Sequence, residues 1–135
     1  NIFGPRQDPS SPYSGVISIF TQRALAGLPI SVFGDGEQTR DVVYVADLVT
    51  LLVQALEAPQ VEAGAVNVGL DRATSLNQLL AALADILGNL PPVTHGEARA
   101  GDIRHSRADN RRLLARFVFP EPTPLRDGLA RLLGR

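Results

Sequence analysis

Apolar residues recur with helical spacing in four long stretches of the chain, and shorter apolar runs lie between them. The spacing predicts helices over residues 15–26, 46–58, 76–87 and 124–133, with a shorter helix over 110–117. Runs at 30–33, 42–45 and 65–69 are typical of strands, and residues 93–95 form a further extended piece. Because helices and strands alternate, we expect a single α/β unit over residues 1–135 with a small mixed sheet.

Capping residues mark several of the predicted helix starts. Ser75 and Gln78 have the spacing of a capping box at the start of the third long helix. We expect Ser14 to cap the first helix, and Thr123 to precede Pro124 at the first helical position of the last one.

The second long helix carries polar residues at helical spacing along one stripe, and its other faces are apolar. The stripe consists of Asp47, Thr50, Gln54 and Glu57. We expect this stripe to face solvent, and the broad apolar remainder to pack against a sheet or a second helix.

The composition excludes several classes of protein. With 44% hydrophobic and 20% charged residues, the chain of 135 residues can bury one core, and its net charge of −1 argues against a nucleic-acid or anionic-membrane surface. We find neither a membrane-spanning apolar run nor a signal peptide, so we expect a cytoplasmic location. Without cysteine and with only two histidines, the sequence predicts no disulfide and no metal site.

Two residue types are absent in an informative way. Because the chain has no methionine and opens on NIFGPRQ, we expect it to be a segment of a longer protein. All thirteen basic residues are arginine, so a mechanism that needs a lysine amine is closed to this chain. Arginine offers planar, two-pronged recognition of phosphate oxygens.

Arg40 stands at the exit of a glycine turn, Gly34–Gly36, that leads into an apolar strand. The local sequence leaves two interpretations open. Arg40 is either a solvated turn residue paired with Asp41 or Glu37, or a ligand for an anion beside a turn whose backbone is open to close approach.

A second charged stretch combines a cation with a hydroxyl acceptor. In it, Arg99 and Asp102 flank Gly101, so that the arginine has the chemistry to hold an anion while the aspartate accepts from hydroxyls. This is the division of roles that a sugar phosphate requires. We expect His105, on the same charged loop, to be a surface residue rather than a catalytic one.

Five motifs together resemble a known family. NIFGPRQ, PISVFGDGEQTRDVVYVADLV, VNVGLDRATSLNQL, RAGDIRHSRAD and PLRDGL follow the order and spacing of the C-terminal portion of extended short-chain dehydrogenases/reductases that act on nucleotide sugars. The resemblance covers essentially the whole chain. It is strongest to the branch of the UDP-glucose and UDP-N-acetylglucosamine 4-epimerases.

The resemblance implies a pocket for the nucleobase. Gly15 and Val16 match the start of a helix that lies against the uracil, and Val32 with Phe33 matches the strand that forms the opposite wall. Val42 departs from the family, which usually places an aromatic residue after the Arg-Asp pair.

The resemblance also implies contacts to the rest of the nucleotide sugar. Asn1 matches an asparagine that hydrogen-bonds the phosphate or the sugar, Arg40 matches the diphosphate arginine, and Arg99 matches a second arginine of that clamp. Asp102 matches an aspartate that accepts from the ribose hydroxyls.

The family's chemistry is expected to lie outside this chain. Its glycine-rich dinucleotide loop and its Tyr-x-x-x-Lys are absent here, so the resemblance implies no catalytic residue in this segment and NAD bound mainly by an upstream Rossmann half. The implied parent is a 4-epimerase of UDP-hexoses, expected to be a homodimer. A 4,6-dehydratase or 4-reductase of the same family, and a stand-alone nucleotide-binding module, are the alternatives.

Overall fold

The computed structural model describes residues 1–11, 15–59, 64–119 and 121–135. The helices are α1 (Val16–Leu25), α2 (Val45–Glu57), α3 (Leu76–Leu87), α4 (Arg111–Leu114) and α5 (Leu125–Leu132). The strands are β1 (Ile2–Phe3), β2 (Ile30–Phe33), β3 (Thr39–Arg40), β4 (Val43–Tyr44), β5 (Thr74–Ser75) and β6 (Val93–Gly96). This confirms the α/β class. No helix in the described ranges has both the length and the apolar character that a membrane crossing needs.

In the described part of the chain the strands form three two-stranded sheets. β1 pairs with β4 and β2 pairs with β6, both in parallel, whereas β3 and β5 are antiparallel. The β2–β6 pair is the longest and runs in register from Ile30 opposite Val93 to Phe33 opposite Gly96. The sheet structure is therefore divided among separate pairs rather than gathered in one mixed sheet.

The core lies where α1, α3 and α5 meet the β2–β6 pair. Ile30, Leu83 and Leu129 are fully buried, at 0% exposure, and belong to one hydrophobic cluster. α3 is held at its start by the predicted capping box. There the Gln78 amide donates to Ser75 Oγ at 3.1 Å, and the Ser75 amide donates to Gln78 Oε1 at 2.9 Å.

α5 approaches the N-terminal strand closely at Gly128. The Phe3 and Tyr44 rings meet edge to face, with centroids 5.7 Å apart, and both lie against this glycine. A Cβ at position 128 would stand 2.8 Å from Phe3 Cζ, so only glycine fits without a shift of the ring. This contact fixes the last helix against the first strand.

The prediction of a strand at residues 65–69 is wrong. These residues have no strand partner among the described residues. The backbone around the end of this run is held by side chains instead. Asn110 Nδ2 donates to the Gly69 carbonyl at 3.0 Å, and the amides of Leu70 and Asp71 each donate to the Asp41 carboxylate at 3.0 Å. Side chains thus take the place of the backbone hydrogen bonds of a β-sheet. The apolar pattern of residues 65–69 gives no sign of these distant side chains.

The start of the last helix also differs from the prediction. Pro124 is the residue before the helix, with ψ at 144°, and α5 begins at Leu125. Thr123 binds another helix, because its amide and hydroxyl donate to the Asp47 carboxylate at 2.9 and 2.8 Å. Ser14, the predicted cap of α1, lies outside the described residues.

The polar stripe of α2 agrees only in part with the prediction, because Thr50 and Glu57 are exposed whereas Asp47 and Gln54 contact protein. Asp47 is buried at 7% exposure, and Gln54 exchanges hydrogen bonds of 2.7 and 3.0 Å with the backbone of Val118, so part of the expected solvent stripe faces protein. Leu51 is buried at 3% exposure, but most of the apolar side is exposed. Val49, Leu52, Val53 and Leu56 are 50%, 53%, 44% and 86% exposed.

Candidate functional site

A cleft of about 520 Å³ lies between α1, the end of β2 and the loop that follows β6. Seven of the eight residues predicted to bind a ligand line it. Three come from the chain start and α1, namely Asn1, Gly15 and Val16. The others are Phe33, Arg40, Arg99 and Asp102. The structure therefore brings together residues that lie about a hundred positions apart in the sequence.

Val32 is the exception. Along β2 the side chains alternate, and Val32 is 1% exposed and belongs to the hydrophobic core. Its neighbours Ser31 and Phe33 line the cleft instead. Because consecutive residues of a strand point to opposite faces, Val32 and Phe33 cannot both contribute a side-chain wall, and the expectation for the Val32 side chain is wrong.

Arg40 is bound through one of its guanidinium nitrogens. Arg40 Nη1 donates to the carbonyls of Thr39 and Ile103 at 2.8 and 2.7 Å. The alternative that Arg40 pairs with Asp41 does not hold, because the buried Asp41 carboxylate accepts from backbone amides on two other loops. Asp41 therefore holds the backbone of the neighbouring loops in place, and the Arg40 side chain lines the cleft without pairing with Asp41.

Arg99 lies against an aromatic ring of the same cleft. Its guanidinium carbon stands 3.8 Å from the centroid of the Phe33 ring. The Asp102 amide donates to the Arg99 carbonyl at 3.2 Å, in a turn where Gly101 has a φ of 84°. Arg99 and Asp102 are thereby presented from one short turn.

The cleft is electropositive. Within the described ranges no carboxylate lies at ion-pair distance from Arg40 or Arg99. Among the described residues that line the cleft, Asp102 is the one acidic residue, and Arg23 is a further cation. Cations without internal counter-charges, held in a partly enclosed space, attract an anion and bind its oxygens in pairs.

Sequence reasoning missed Gln38, which lines the cleft and is only 8% exposed. Gln38 Nε2 donates to the Phe33 carbonyl at 2.6 Å and so closes the glycine turn. Its Oε1 is buried and has no hydrogen-bond partner among the described residues. Gln38 stands two residues before Arg40, and side chains two positions apart in an extended segment point to the same side. This spacing was the feature of the sequence that could have predicted Gln38 as a residue of the cleft.

The turn before Arg40 is tied to the loop that carries Arg99. Arg104 donates to Asp35 through both Nη1 and Nη2, at 3.0 and 2.7 Å. This fork lowers the pKa of Asp35 to about 2, and the Glu37 amide adds to the effect. His105 is exposed, as predicted, and its Nδ1 lies 3.0 Å from Thr39 Oγ1.

Metal-binding chemistry has no candidate in the residues that the structure describes, where no three histidine, aspartate or glutamate side chains converge. The cleft is instead suited to a ligand with an anionic part, hydroxyl donors and a flat ring. Arg40 and Arg99 supply cations, Asp102 supplies an acceptor, and Phe33 supplies an aromatic face that is 39% exposed.

Comparison with known proteins gives a consistent result. The profile of the family described as "NAD dependent epimerase/dehydratase family" matches residues 1–69. The chain is 37% identical over 131 residues to the UDP-glucose 4-epimerase of Mycolicibacterium smegmatis, covering 97% of this chain and 41% of that protein. It is 33% identical over 95 residues to a UDP-N-acetyl-alpha-D-glucosaminuronate decarboxylase of Bacillus cytotoxicus, covering 70% of this chain and 29% of that protein.

Solved structures show the same likeness. A UDP-N-acetylglucosamine 4-epimerase from Methanobrevibacter ruminantium, in complex with UDP-N-acetylmuramic acid, superposes with a TM-score of 0.90 at 34% identity, over 99% of this chain and 43% of that one. The UDP-glucose 4-epimerase of Thermotoga maritima with UDP-glucose superposes with a TM-score of 0.89 at 36% identity, over 99% of this chain and 42% of that one. The chain thus spans about two fifths of the length of these proteins.

Proposed function

The chain belongs to the NAD dependent epimerase/dehydratase family, and from this premise we propose that it binds the nucleotide diphosphate of a UDP-sugar as part of a UDP-hexose 4-epimerase. The proposed substrate is UDP-glucose or UDP-N-acetylglucosamine, in line with the substrates named for similar proteins. Because the chain spans only about two fifths of these relatives, the activity is proposed for a complete enzyme that contains it.

One observation carries the proposal. Asn1, Arg40 and the turn that carries Arg99 and Asp102 come from three separate segments and line one cleft. A diphosphate offers only acceptor oxygens, so two guanidinium groups without internal counter-charges are its natural partners. A charge-assisted hydrogen bond of this kind contributes about 1.5 to 3 kcal/mol.

The remaining lining residues suit a nucleoside. Phe33 presents an exposed ring opposite the start of α1, where Gly15 and Val16 line the cleft, and a flat base fits between such walls. The Asp102 carboxylate is exposed on the turn beside Arg99 and is suited to accept from the ribose hydroxyls.

The residues of this chain do not fit the dinucleotide cofactor of the family. The glycine turn Gly34–Gly36 joins β2 to the short strand β3, whereas a dinucleotide loop joins a strand to a helix. The sequence also has no lysine for a Tyr-x-x-x-Lys pair. In the proposed enzyme the NAD contacts and the reacting groups therefore belong to other residues.

There is a physical reason why nucleotide binding and catalysis can belong to different parts of the proposed enzyme. An epimerase changes the configuration of the sugar and leaves the nucleotide unchanged, so contacts to the nucleotide hold substrate and product equally. Arg40, Arg99 and Asp102 supply that common affinity in our proposal.

The exposed side of α2 supports the assignment to a larger enzyme. Val49, Leu52, Val53 and Leu56 form an apolar face that a stand-alone module would leave in water. We propose that the remainder of the enzyme covers this face. A stand-alone nucleotide-binding module is disfavoured for the same reason.

A second candidate function follows from one of the similar proteins, a decarboxylase of a UDP-linked uronic acid. The same cleft would serve such an enzyme, because the nucleotide is common to both substrates. Product analysis separates the two functions. The 4-epimerase yields a UDP-hexose isomer from UDP-glucose, whereas the decarboxylase releases carbon dioxide from a UDP-uronate and leaves UDP-glucose unchanged.

The binding role is tested in the complete enzyme. Arg40→Ala and Arg99→Ala should each raise KM for the UDP-sugar about tenfold or more, the loss expected for a charge-assisted bond, while NAD affinity stays unchanged. Arg126→Ala is the control, because Arg126 is exposed on α5 and does not line the cleft. An unchanged KM in both test variants would overturn the proposal.

A further inference from the structure

Residues 97–106, which we call the clamp arm, carry both Arg99 and Asp102. The arm begins where β6 ends at Gly96, and all its residues from 97 to 105 are exposed. An exposed segment is not oriented by burial in the core, so its direction depends on the few bonds that tie it to neighbouring elements.

Three bonds from β3 tie the end of the clamp arm. The Thr39 amide donates to the Arg104 carbonyl at 2.8 Å, and the Ser106 amide donates to the Thr39 carbonyl at 3.1 Å. Arg40 Nη1 adds a bond of 2.7 Å to the Ile103 carbonyl. These bonds hold the clamp arm close to β3. They do not join the arm to the glycine turn Gly34–Gly36, which is connected to the arm by a different contact.

The connection to the glycine turn is the fork between Arg104 and Asp35, with both N–O distances at 3.0 Å or less. Asp35 is itself held in place. The Glu37 amide donates to Asp35 Oδ1 at 2.9 Å, and Asn77 Nδ2, from α3, donates to the Asp35 carbonyl at 3.0 Å. The arm is therefore linked through Asp35 to a turn anchored on a core helix.

We infer that Asp35 and Arg104 are positioning residues, which set the clamp arm so that Arg99 and Asp102 face the cleft. The inference rests on the proposed function. Neither Asp35 nor Arg104 lines the 520 Å³ cleft, so both act through the arm.

The expected signature is a loss of affinity without a loss of stability. The side chains of Arg104 and Asp35 are both 54% exposed, and exposed ion pairs contribute little to folding. Loss of the pair instead lets the clamp arm adopt several conformations, of which only some direct Arg99 and Asp102 toward the cleft. The apparent affinity for the ligand then falls with the population of those conformations. Because the arm touches only the nucleotide in our proposal, kcat should not change.

The chain offers a matched control. Arg111 forms a similar two-pronged pair with Asp109, also at the surface. Neither residue belongs to the clamp arm or lines the cleft. Loss of this second pair removes the same kind of bond without altering the arm.

The experiment measures UDP affinity by calorimetry, together with KM and kcat, in the complete enzyme. Asp35→Asn and Arg104→Gln should each weaken UDP binding and raise KM about two- to fivefold, the range that an exposed pair can supply, with kcat and the melting temperature unchanged. The charge-exchanged double variant Asp35→Arg/Arg104→Asp should recover most of the loss. Arg111→Gln should bind UDP like the parent enzyme.

The outcomes separate this inference from the proposed function. If Arg40→Ala and Arg99→Ala weaken UDP binding but Asp35→Asn and Arg104→Gln do not, only the positioning role is overturned. If the single variants lose affinity and the charge-exchanged pair does not recover it, the positioning role is overturned as well. If UDP does not bind the complete enzyme, the proposed function and this inference both fall.

Discussion

The Arg99 guanidinium lies over the Phe33 ring, with its central carbon 3.8 Å from the ring centroid. The ring stands at the end of β2 and the arginine on the clamp arm, so the contact joins two walls of the cleft. At an exposed site such a cation–π contact contributes about 0.5 to 1 kcal/mol. Phe33 therefore has two roles in our proposal, as a face for the base and as a support for a phosphate ligand.

Replacing Phe33 tests both roles together. Phe33→Leu should weaken UDP binding roughly tenfold, because the base and Arg99 each lose an aromatic face. Phe33→Tyr keeps the ring and should bind nearly as well as the parent enzyme. Calorimetric titration of the complete enzyme with UDP measures the difference, and equal affinity of the Leu variant would contradict the assignment.

Asp41 should be important for stability. Its carboxylate is 6% exposed and accepts from the amides of Leu70, Asp71 and Ala108 at 3.0 to 3.2 Å. Asp41→Ala leaves these amides without their acceptor and should lower the free energy of unfolding by on the order of 3 kcal/mol.

The measurement for Asp41 is urea denaturation of the complete enzyme. Asp85→Ala removes an exposed carboxylate from α3 and should change the unfolding free energy by less than about 0.5 kcal/mol. A similar stability for the two variants would show that the three amides find other partners.

Gly128 should not tolerate a side chain. In Gly128→Ala the new Cβ would meet Phe3 Cζ at 2.8 Å, and the resulting overpacking should cost about 1 to 3 kcal/mol of stability. Shortening the ring with Phe3→Leu makes room. The double variant Gly128→Ala/Phe3→Leu should therefore be more stable than the sum of the two single effects predicts, as a double-mutant cycle by thermal denaturation will measure.

The titration of Asp35 reports the fork directly. Its pKa is lowered from 3.8 to about 2, first by the Arg104 side chain and then by the Glu37 amide. Because the folded-state pKa lies below the ordinary value, the contribution of the pair is complete above about pH 4 and is lost as the pH falls through about 2.

Carboxyl-carbon NMR of an aspartate-labelled sample follows this titration. Arg104→Gln should raise the midpoint of Asp35 toward its ordinary value, and Arg111→Gln should leave it in place. Arg111→Gln should instead raise the pKa of Asp109, which is held at about 2 by Arg111. A midpoint for Asp35 near 4 in the unaltered protein would contradict the fork.

The sequence was informative wherever a local pattern determines the structure. The capping box of Ser75 and Gln78 is contained in four consecutive residues, and the helical period of α3 is strong enough to set its bounds at 76–87. The residues of the cleft were found by resemblance to a family, since no local pattern brings Arg40 and Arg99 together.

Two of the errors share one physical cause, which is partnership between distant residues. Asp47 has the spacing of a surface residue, yet it accepts from Thr123, 76 positions away. Residues 65–69 have the composition of a strand, but Asp41 and Asn110 supply hydrogen bonds to the adjoining backbone. Val32 was assigned to the cleft with its neighbour, although strand alternation assigns only one of the two side chains to each face.

The open side of α2 has a practical consequence for protein engineering. No residue of α2 lines the cleft. Charged replacements at Leu52 and Leu56 would therefore make that surface more polar and leave the lining of the cleft intact. In our proposal the remainder of the enzyme covers that surface, so such a redesign would test whether these 135 residues can fold and bind uridine nucleotides on their own.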